Sequence, residues 1–271
     1  MDNRPIGVFD SGVGGLTAVR QLQALLPGEN IIYFGDTGRV PYGTRSPETI
    51  IQYAKQDLRF LLSKDVKYLI AACGTISSLL PKEYSDALPV PYTGVLDAAV
   101  AAAVKATKTG RIGIIGTPAT IQSGSYDKRI KALLPEAKTF SNACPLFVPL
   151  VENGYVSPDD PVTTAVAEEY LAPLREAGVD TLIMGCTHYP LISGVIDRVM
   201  KGSAALIDPG RETALVARRT LSDSGLLAES EQQGHSEYYV SDLPQNFESA
   251  MARFLQPDQI TAAQRIDIEN Y

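Results

Sequence analysis

The chain has 271 residues, of which 45% are hydrophobic and 20% are charged, as is typical of a globular protein with one or two buried cores. Its formal net charge of −7, without a dense run of lysine or arginine, argues against nucleic acid or an anionic membrane as a partner. It also has no apolar signal-peptide core and no run of about 20 apolar residues, so we expect a cytoplasmic protein.

Short apolar segments alternate with longer amphipathic ones along the chain. The predicted strands are, in chain order, residues 5–9, 30–34, 68–72, 111–115, 181–184 and 205–207. The predicted helices between them include residues 16–26, 47–62, 96–107 and 161–177. The strands are nearly all apolar, as parallel strands covered on both faces are. This alternation predicts an α/β fold with largely parallel sheets flanked by helices.

The two halves of the chain repeat one plan. The strand that ends at Asp10 resembles the one that ends before Thr117, and the strand before Cys73 resembles the one before Cys186. Such a duplication predicts two pseudo-symmetric domains with an active site in the cleft between them. Ligands of open α/β sheets bind beyond the carboxyl ends of the strands. The polar residues at the predicted strand ends are Asp10, Ser11, Asp36, Thr37, Cys73, Thr75, Thr117, Cys186, Thr187 and His188.

The chain has three cysteines, and their number and spacing predict neither a disulfide framework nor a zinc site. A single cysteine after an apolar segment is usually a small buried hydrophobic residue, and this is the interpretation for Cys144. Cys73 and Cys186 differ from it because each ends a predicted strand at the equivalent place in its half. Packing alone is a poor explanation for two matched thiols.

Two thiols on opposite sides of a cleft are suited to proton transfer at one carbon atom. A thiolate removes a proton from one face of the carbon, and the opposite thiol donates a proton to the other face. His188 is a candidate proton partner for Cys186, although a single histidine is more often structural. Asp10 is a candidate partner for Cys73, or an N-cap for the helix that follows it.

The glycines between Asp10 and Leu16 predict a tight strand-to-helix loop whose backbone amides could bind a carboxylate. The loop matches neither the G-x-G-x-x-G pattern nor the P-loop pattern. A nucleotide site is therefore not predicted.

Five segments carry a resemblance to a known family: residues 9–17, 33–37, 40–43, 151–154 and 185–191. In order and spacing they resemble the bacterial glutamate racemases of the aspartate/glutamate racemase superfamily. The resemblance implies interconversion of L- and D-glutamate, with no cofactor or metal, to supply D-glutamate for peptidoglycan synthesis.

The resemblance also implies roles for individual residues. Cys73 and Cys186 are implied as the catalytic pair, assisted by Asp10 and His188. The implied substrate contacts are Asp10, Ser11, Tyr42, Gly43, Thr75, Thr187 and His188. Supporting positions behind these contacts are expected for Asp36, Thr117 and Glu152.

The domain boundaries and the partners follow from the same resemblance. Residues 1–96 together with 209–271 are expected to form the first domain, and residues 97–208 the second. The expected partners are a small amino-acid substrate and a second copy of the chain in a homodimer.

One position departs from the family pattern. Members usually have asparagine after the first cysteine, where this chain has Gly74. Loss of a hydrogen bond to a charged group typically costs about 1.5–3 kcal/mol, so substrate affinity or preference is expected to differ.

Two alternative functions remain at this stage. One is racemisation of another amino acid such as aspartate, although His188 favours glutamate. The other is a non-catalytic amino-acid-binding relative, against which the retention of both thiols argues.

Overall fold

A computed structural model describes residues 1–228, 233–243, 247–255, 259 and 261–271. Its strands are β1 (Ile6–Asp10), β2 (Ile31–Gly35), β3 (Tyr68–Ala71), β4 (Tyr92–Gly94), β5 (Arg111–Gly116), β6 (Lys138–Ala143), β7 (Thr181–Met184), β8 (Ala205–Ile207), β9 (Ser236–Val240) and β10 (Ala263–Arg265). Its helices are α1 (Leu16–Leu25), α2 (Pro47–Leu62), α3 (Gly74–Leu79), α4 (Lys82–Asp86), α5 (Val95–Ala106), α6 (Pro118–Gln122), α7 (Ser125–Leu133), α8 (Phe147–Glu152), α9 (Pro161–Glu176), α10 (Ser193–Val199), α11 (Pro209–Asp223) and α12 (Phe247–Phe254).

The strands form two parallel sheets. The first has the order β10-β9-β2-β1-β3-β4, and the second has the order β6-β5-β7-β8. The β2-β1-β3-β4 part of the first sheet therefore has the same plan as the whole second sheet, with β1 matching β5 and β3 matching β7. The predicted α/β class and the predicted pseudo-symmetry are confirmed.

Burial explains the central strands, and local capping explains several helix starts. Every residue of β1, β2, β3 and β7 is buried, as expected for strands that carry helices on both faces. A proline takes the first position of α2, α9 and α11. The side chain before each proline (Ser46, Asp160 and Asp208) accepts a backbone N–H of the first turn, which fixes where the helix begins.

Four strands are absent from the sequence prediction: β4, β6, β9 and β10. The β6 strand is polar and only partly buried, because it lies at the edge of the second sheet. The β10 strand has three residues and lies at the edge of the first sheet. Edge strands of this kind lack the apolar pattern that identifies a buried strand.

The C-terminal segment packs with the first sheet. The strands β9 and β10 extend that sheet, and α11 packs against both α1 and α5. The domain boundaries at residues 96/97 and 208/209 stay a prediction, and residues 229–232, 244–246, 256–258 and 260 of this segment lie outside the described residues. Within the described ranges, no helix has the length and apolarity needed to cross a membrane.

A buried ion pair holds this segment against the first sheet. Lys67, immediately before β3, is fully buried, and its Nζ lies 2.6 Å from Glu29 Oε2. The same Nζ donates to the Leu226 carbonyl at 2.8 Å and to the Asp2 carbonyl. Glu29 in turn accepts the backbone N–H of Ala228 at 2.8 Å. The buried ammonium therefore has one counter-charge and two carbonyl acceptors.

Removal of one member of this pair should destabilise the fold strongly. In Glu29→Leu the Lys67 ammonium stays buried without its counter-charge, which should lower the free energy of unfolding by about 3–5 kcal/mol. Urea denaturation would measure the loss. The double variant Glu29→Leu/Lys67→Met should lose less than Glu29→Leu alone, and a double variant that loses as much would contradict this account of the pair.

Candidate active site

The two predicted thiols lie in one cleft between the sheets. Cys73 follows β3 of the first sheet, and Cys186 follows the equivalent strand β7 of the second. Both line a cavity of about 410 Å³, and their residues are 5% and 8% exposed. Two chemically similar groups from different sheets therefore border the same ligand-sized space.

Burial keeps the Cys73 thiol protonated in the unliganded protein. Cys73 occupies the N-cap position of α3, and its Sγ lies 3.5 Å from Ser11 Oγ. Burial, and after it the charge of Asp10, raise the pKa of Cys73 to about 12. The Ile76 backbone N–H and the Ser11 hydroxyl oppose this shift. Cys73 is thus placed to act first as a proton donor.

The second thiol has a different partner. Cys186 Sγ lies 3.8 Å from His188 Nδ1, and His188 Nε2 lies 3.0 Å from Glu152 Oε1. Burial alone lowers the pKa of His188, but the interactions with Cys186 and Glu152 outweigh it and raise the value to about 10. His188 is therefore an imidazolium near neutral pH. A positive charge this close stabilises negative charge on the Cys186 sulfur.

Asp10 lies behind the cleft wall. It is 1% exposed and is not among the residues that line the cavity. Its Oδ2 accepts the backbone N–H of Gly12 at 3.0 Å, so this amide is not available to a substrate carboxylate. Gly15, not Asp10, occupies the N-cap position of α1. Burial raises the pKa of Asp10, while the charge of His188 and the nearby backbone amides lower it.

Tyr42 lines the cavity, but its hydroxyl is turned into the protein. That hydroxyl donates to Asp36 Oδ2, and Arg39 Nε binds the same carboxylate at 2.6 Å. Arg39 also reaches Asp57, whose pKa burial and the charge of Asp36 raise well above its ordinary value. Asp36 is fully buried and supports the segment that carries Tyr42 and Gly43.

Hydroxyl groups join the two sides of the cleft. Thr75 Oγ1 lies 3.0 Å from Thr117 Oγ1 and 3.3 Å from Thr120 Oγ1, across the boundary between the sheets. The remaining predicted contacts, Ser11, Gly43 and Thr187, also line the cavity. The structure thus brings together the predicted site residues, with Asp10 and Asp36 one layer behind.

The cavity wall has no lysine or arginine among the described residues. An anionic ligand must therefore be bound by hydroxyls, by the His188 imidazolium and by backbone amides. Helical turns begin at Tyr42 and Gly74 beside the cavity. The first N–H groups of such turns have no partner within the turn, so they are available to carboxylates.

Sequence reasoning missed one wall of the cavity. Pro145, Val148 and Pro149 line it together with Glu152. The spacing of these positions, three and four residues apart, is that of one face of a helix, and α8 carries most of them. That periodicity was the available signal, but the segment is too short and too rich in proline for it to stand out.

Two other features are separate from this chemistry. Cys144 is fully buried in the hydrophobic core, as its interpretation as a packing residue predicts. A larger cavity of about 720 Å³ lies beside α4 and the start of α5, and no cysteine or histidine lines it. The smaller cavity, with two thiols and an imidazolium, is the candidate active site.

Comparison with known proteins finds relatives that match most of the chain. The profile of the Asp/Glu/hydantoin racemase family matches residues 16–217. A glutamate racemase from Geobacter metallireducens is 45% identical over 252 residues, which cover 93% of each chain. The crystal structure of glutamate racemase from Francisella tularensis in complex with D-glutamate has a TM-score of 0.91 at 38% identity, with full coverage of both chains. Glutamate racemase from Thermus thermophilus in complex with β-chloro-D-alanine has a TM-score of 0.89 at 39% identity, also with full coverage.

The different surroundings of the two thiols predict different reactivity. In the unliganded protein at about pH 7.5, iodoacetamide should alkylate Cys186 at least roughly tenfold faster than Cys73, because only the thiolate reacts. Mass spectrometry of the cysteine peptides over time would give both rates. Cys144 serves as the buried control and should stay unmodified. Faster alkylation of Cys73 would contradict its raised pKa.

The raised pKa of His188 predicts how stability depends on pH. Because the value rises from 6.5 to about 10 on folding, the stabilisation by its partners is fully present below pH 6.5 and is lost as the pH rises through about 10. Glu152→Gln removes one of those partners and should reduce this loss. Unfolding free energies of both proteins between these pH values would test it, and identical pH profiles would contradict the role of Glu152.

Proposed function

This chain belongs to the Asp/Glu/hydantoin racemase family, and we propose that it interconverts L- and D-glutamate by moving the α-proton between Cys73 and Cys186. The observation that carries the proposal is the presence of two thiols, one from each sheet, on one cavity of about 410 Å³. A single acid/base group reaches only one face of a carbon atom. Two groups on different walls can reach both faces.

The proton transfers balance over one turnover. A thiolate takes the α-proton, and the electrons of the broken C–H bond stay on the α-carbon. The opposite thiol then donates its proton to the other face, which inverts the configuration. The first sulfur ends protonated and the second ends as a thiolate, so the reverse reaction can begin directly from the product.

The surroundings of the two sulfurs differ. His188 Nδ1 lies 3.8 Å from the Cys186 sulfur, while burial raises the pKa of Cys73 and keeps that thiol protonated. Glu152 holds the imidazole of His188 from its other nitrogen at 3.0 Å. Asp10 acts on Cys73 through its charge. We assign these two residues as positioning groups, and Cys73, Cys186 and His188 as catalytic.

The substrate assignment rests on the relatives. The curated relatives at 41–50% identity are glutamate racemases, which favours glutamate over aspartate and over a non-catalytic relative. For the substrate carboxylates we propose backbone amides at Gly43, Gly74 and Thr75, with the hydroxyls of Ser11 and Thr187. This donor set binds negative charge without a lysine or arginine.

The biological setting is part of the same proposal. A two-thiol mechanism needs reduced cysteines, and all three cysteines of the chain are free thiols, which supports a cytoplasmic location. We further propose a homodimer, as the family resemblance implies, and a supply of D-glutamate to peptidoglycan synthesis.

Deuterium exchange tests the proposed reaction. Incubation of the protein with L-glutamate in D2O should give D-glutamate with one deuterium at the α-carbon, because the donated proton comes from an exchanged thiol. Cys73→Ser and Cys186→Ser should each lower racemisation by roughly 10²-fold or more, the usual contribution of a general acid or base. Chiral chromatography with mass spectrometry would follow both products.

Matched controls separate the possible results. Cys144→Ser changes the third thiol without touching the cleft, so it should leave racemisation unchanged. L-Aspartate in a parallel reaction should racemise far more slowly than L-glutamate. The absence of exchange and inversion with L-glutamate would refute the function, and near-full activity of either catalytic-cysteine variant would refute the mechanism.

A further inference from the structure

The two thiol-bearing loops touch each other through their backbones. A Cβ atom built at Gly74 would lie 2.3 Å from the carbonyl oxygen of Gly185. This is far inside the van der Waals contact of carbon and oxygen. Gly74 directly follows Cys73, and Gly185 directly precedes Cys186, so the contact lies beside both sulfurs.

Neither loop is free to move away from this contact. The Gly185 N–H donates to the Ile115 carbonyl of β5 at 2.7 Å, and a Cβ atom at Gly185 would lie 2.7 Å from the same oxygen. On the other side, the Ala72 N–H donates to the Phe9 carbonyl of β1 at 2.9 Å. Each loop is therefore fixed to the central strand of its own sheet. A side chain at position 74 could fit only if the two sheet edges moved apart.

A second glycine holds the same loop from its other end. A Cβ atom at Gly14 would lie 2.3 Å from Thr187 Oγ1 and 2.5 Å from His188 Nδ1. Beside it, the Thr17 hydroxyl has two acceptors within reach of its one proton, the Gly14 carbonyl at 2.9 Å and the Thr187 carbonyl at 3.0 Å. The segment 185–188 of the second sheet is thus fitted between two glycines of the first.

We propose that Gly74 is a positioning residue, which sets the spacing of Cys73 and Cys186 by letting its backbone rest on the Gly185 carbonyl. The proposal rests on the two-thiol function above. It also gives a reason for the departure from the family pattern at this position. In this chain the close backbone contact takes the place of a side chain at position 74, and asparagine there would need a wider cleft.

Spacing affects inversion more than proton removal. Removal of the α-proton needs one thiolate within reach, whereas inversion also needs the opposite thiol at the right distance. In a widened cleft the carbanion waits longer for the second proton. The first thiol then has time to exchange its proton with solvent and return a deuteron to the original face.

The test compares exchange with inversion in Gly74→Ala. The full-length variant is incubated with L-glutamate in D2O, and two quantities are measured at low conversion: deuterium in the recovered L-glutamate and the amount of D-glutamate formed. Racemisation should fall on the order of 10²-fold, the loss typical of a displacement of about 1 Å at a reacting centre. The ratio of exchange to inversion should rise above that of the wild type.

Gly194→Ala is the matched control. Gly194 lies in the first turn of α10, and a Cβ atom there makes only ordinary contacts, at 3.4 Å with Pro158. Its rate and ratio should equal those of the wild type. A folded Gly74→Ala variant with an unchanged ratio overturns the proposal, whether its rate is normal or reduced. If the wild type fails to racemise glutamate, the function itself is refuted.

Thr17→Val provides a second route if Gly74→Ala does not fold. This change removes the hydroxyl that lies between the Gly14 and Thr187 carbonyls, and it keeps nearly the same side-chain volume. Because it loosens the same loop, it should also raise the exchange-to-inversion ratio. An unchanged ratio in folded Thr17→Val then overturns the proposal.

Discussion

Parallel pairing on both sides of β1 and β5 is the constraint on which the site depends. In each sheet it aligns the carboxyl ends of neighbouring strands at one edge. Cys73, just after β3, and Cys186, just after β7, therefore lie at equivalent positions on the two edges. The two edges then face each other across the cleft. Because each thiol follows a strand of its own sheet, the rigidity of the two buried sheets also limits the movement of the two sulfurs.

The electrostatics of the cleft complement this geometry. The described wall has no mobile cationic side chain, and its one imidazolium is fixed between Cys186 and Glu152. Backbone amides and hydroxyls, which do not titrate near neutral pH, make up most of the remaining polar surface. The ionisable groups that change state are therefore few. The thiols occupy matched positions, but their surroundings differ. Cys186 lies beside the His188 imidazolium, and Cys73 is influenced by the buried Asp10 carboxylate.

The sequence predicted the buried framework better than the contacts across it. The run at residues 181–184 is a strand at those same positions, because strands covered on both faces are nearly all apolar. The thiols were found because a duplicated plan placed them at matching strand ends. Tertiary contacts such as Thr75 with Thr117 and Gly74 with Gly185 join segments distant in the chain. Local sequence patterns do not show which distant segments will be in contact. Polar edge strands such as β6 are also missed, because they lack the apolar pattern of a buried strand.

The order of the strands has a consequence for the synthesis of the protein. The β2 strand (residues 31–35) pairs with β9 (residues 236–240). The first sheet is therefore complete only after residues 236–240 have been synthesised. The second sheet uses only residues 111–207 and can form earlier on the ribosome. Until β9 arrives, the apolar strand β2 is an open edge with unpaired backbone groups. Chaperone dependence and aggregation of nascent chains should therefore concentrate at β2.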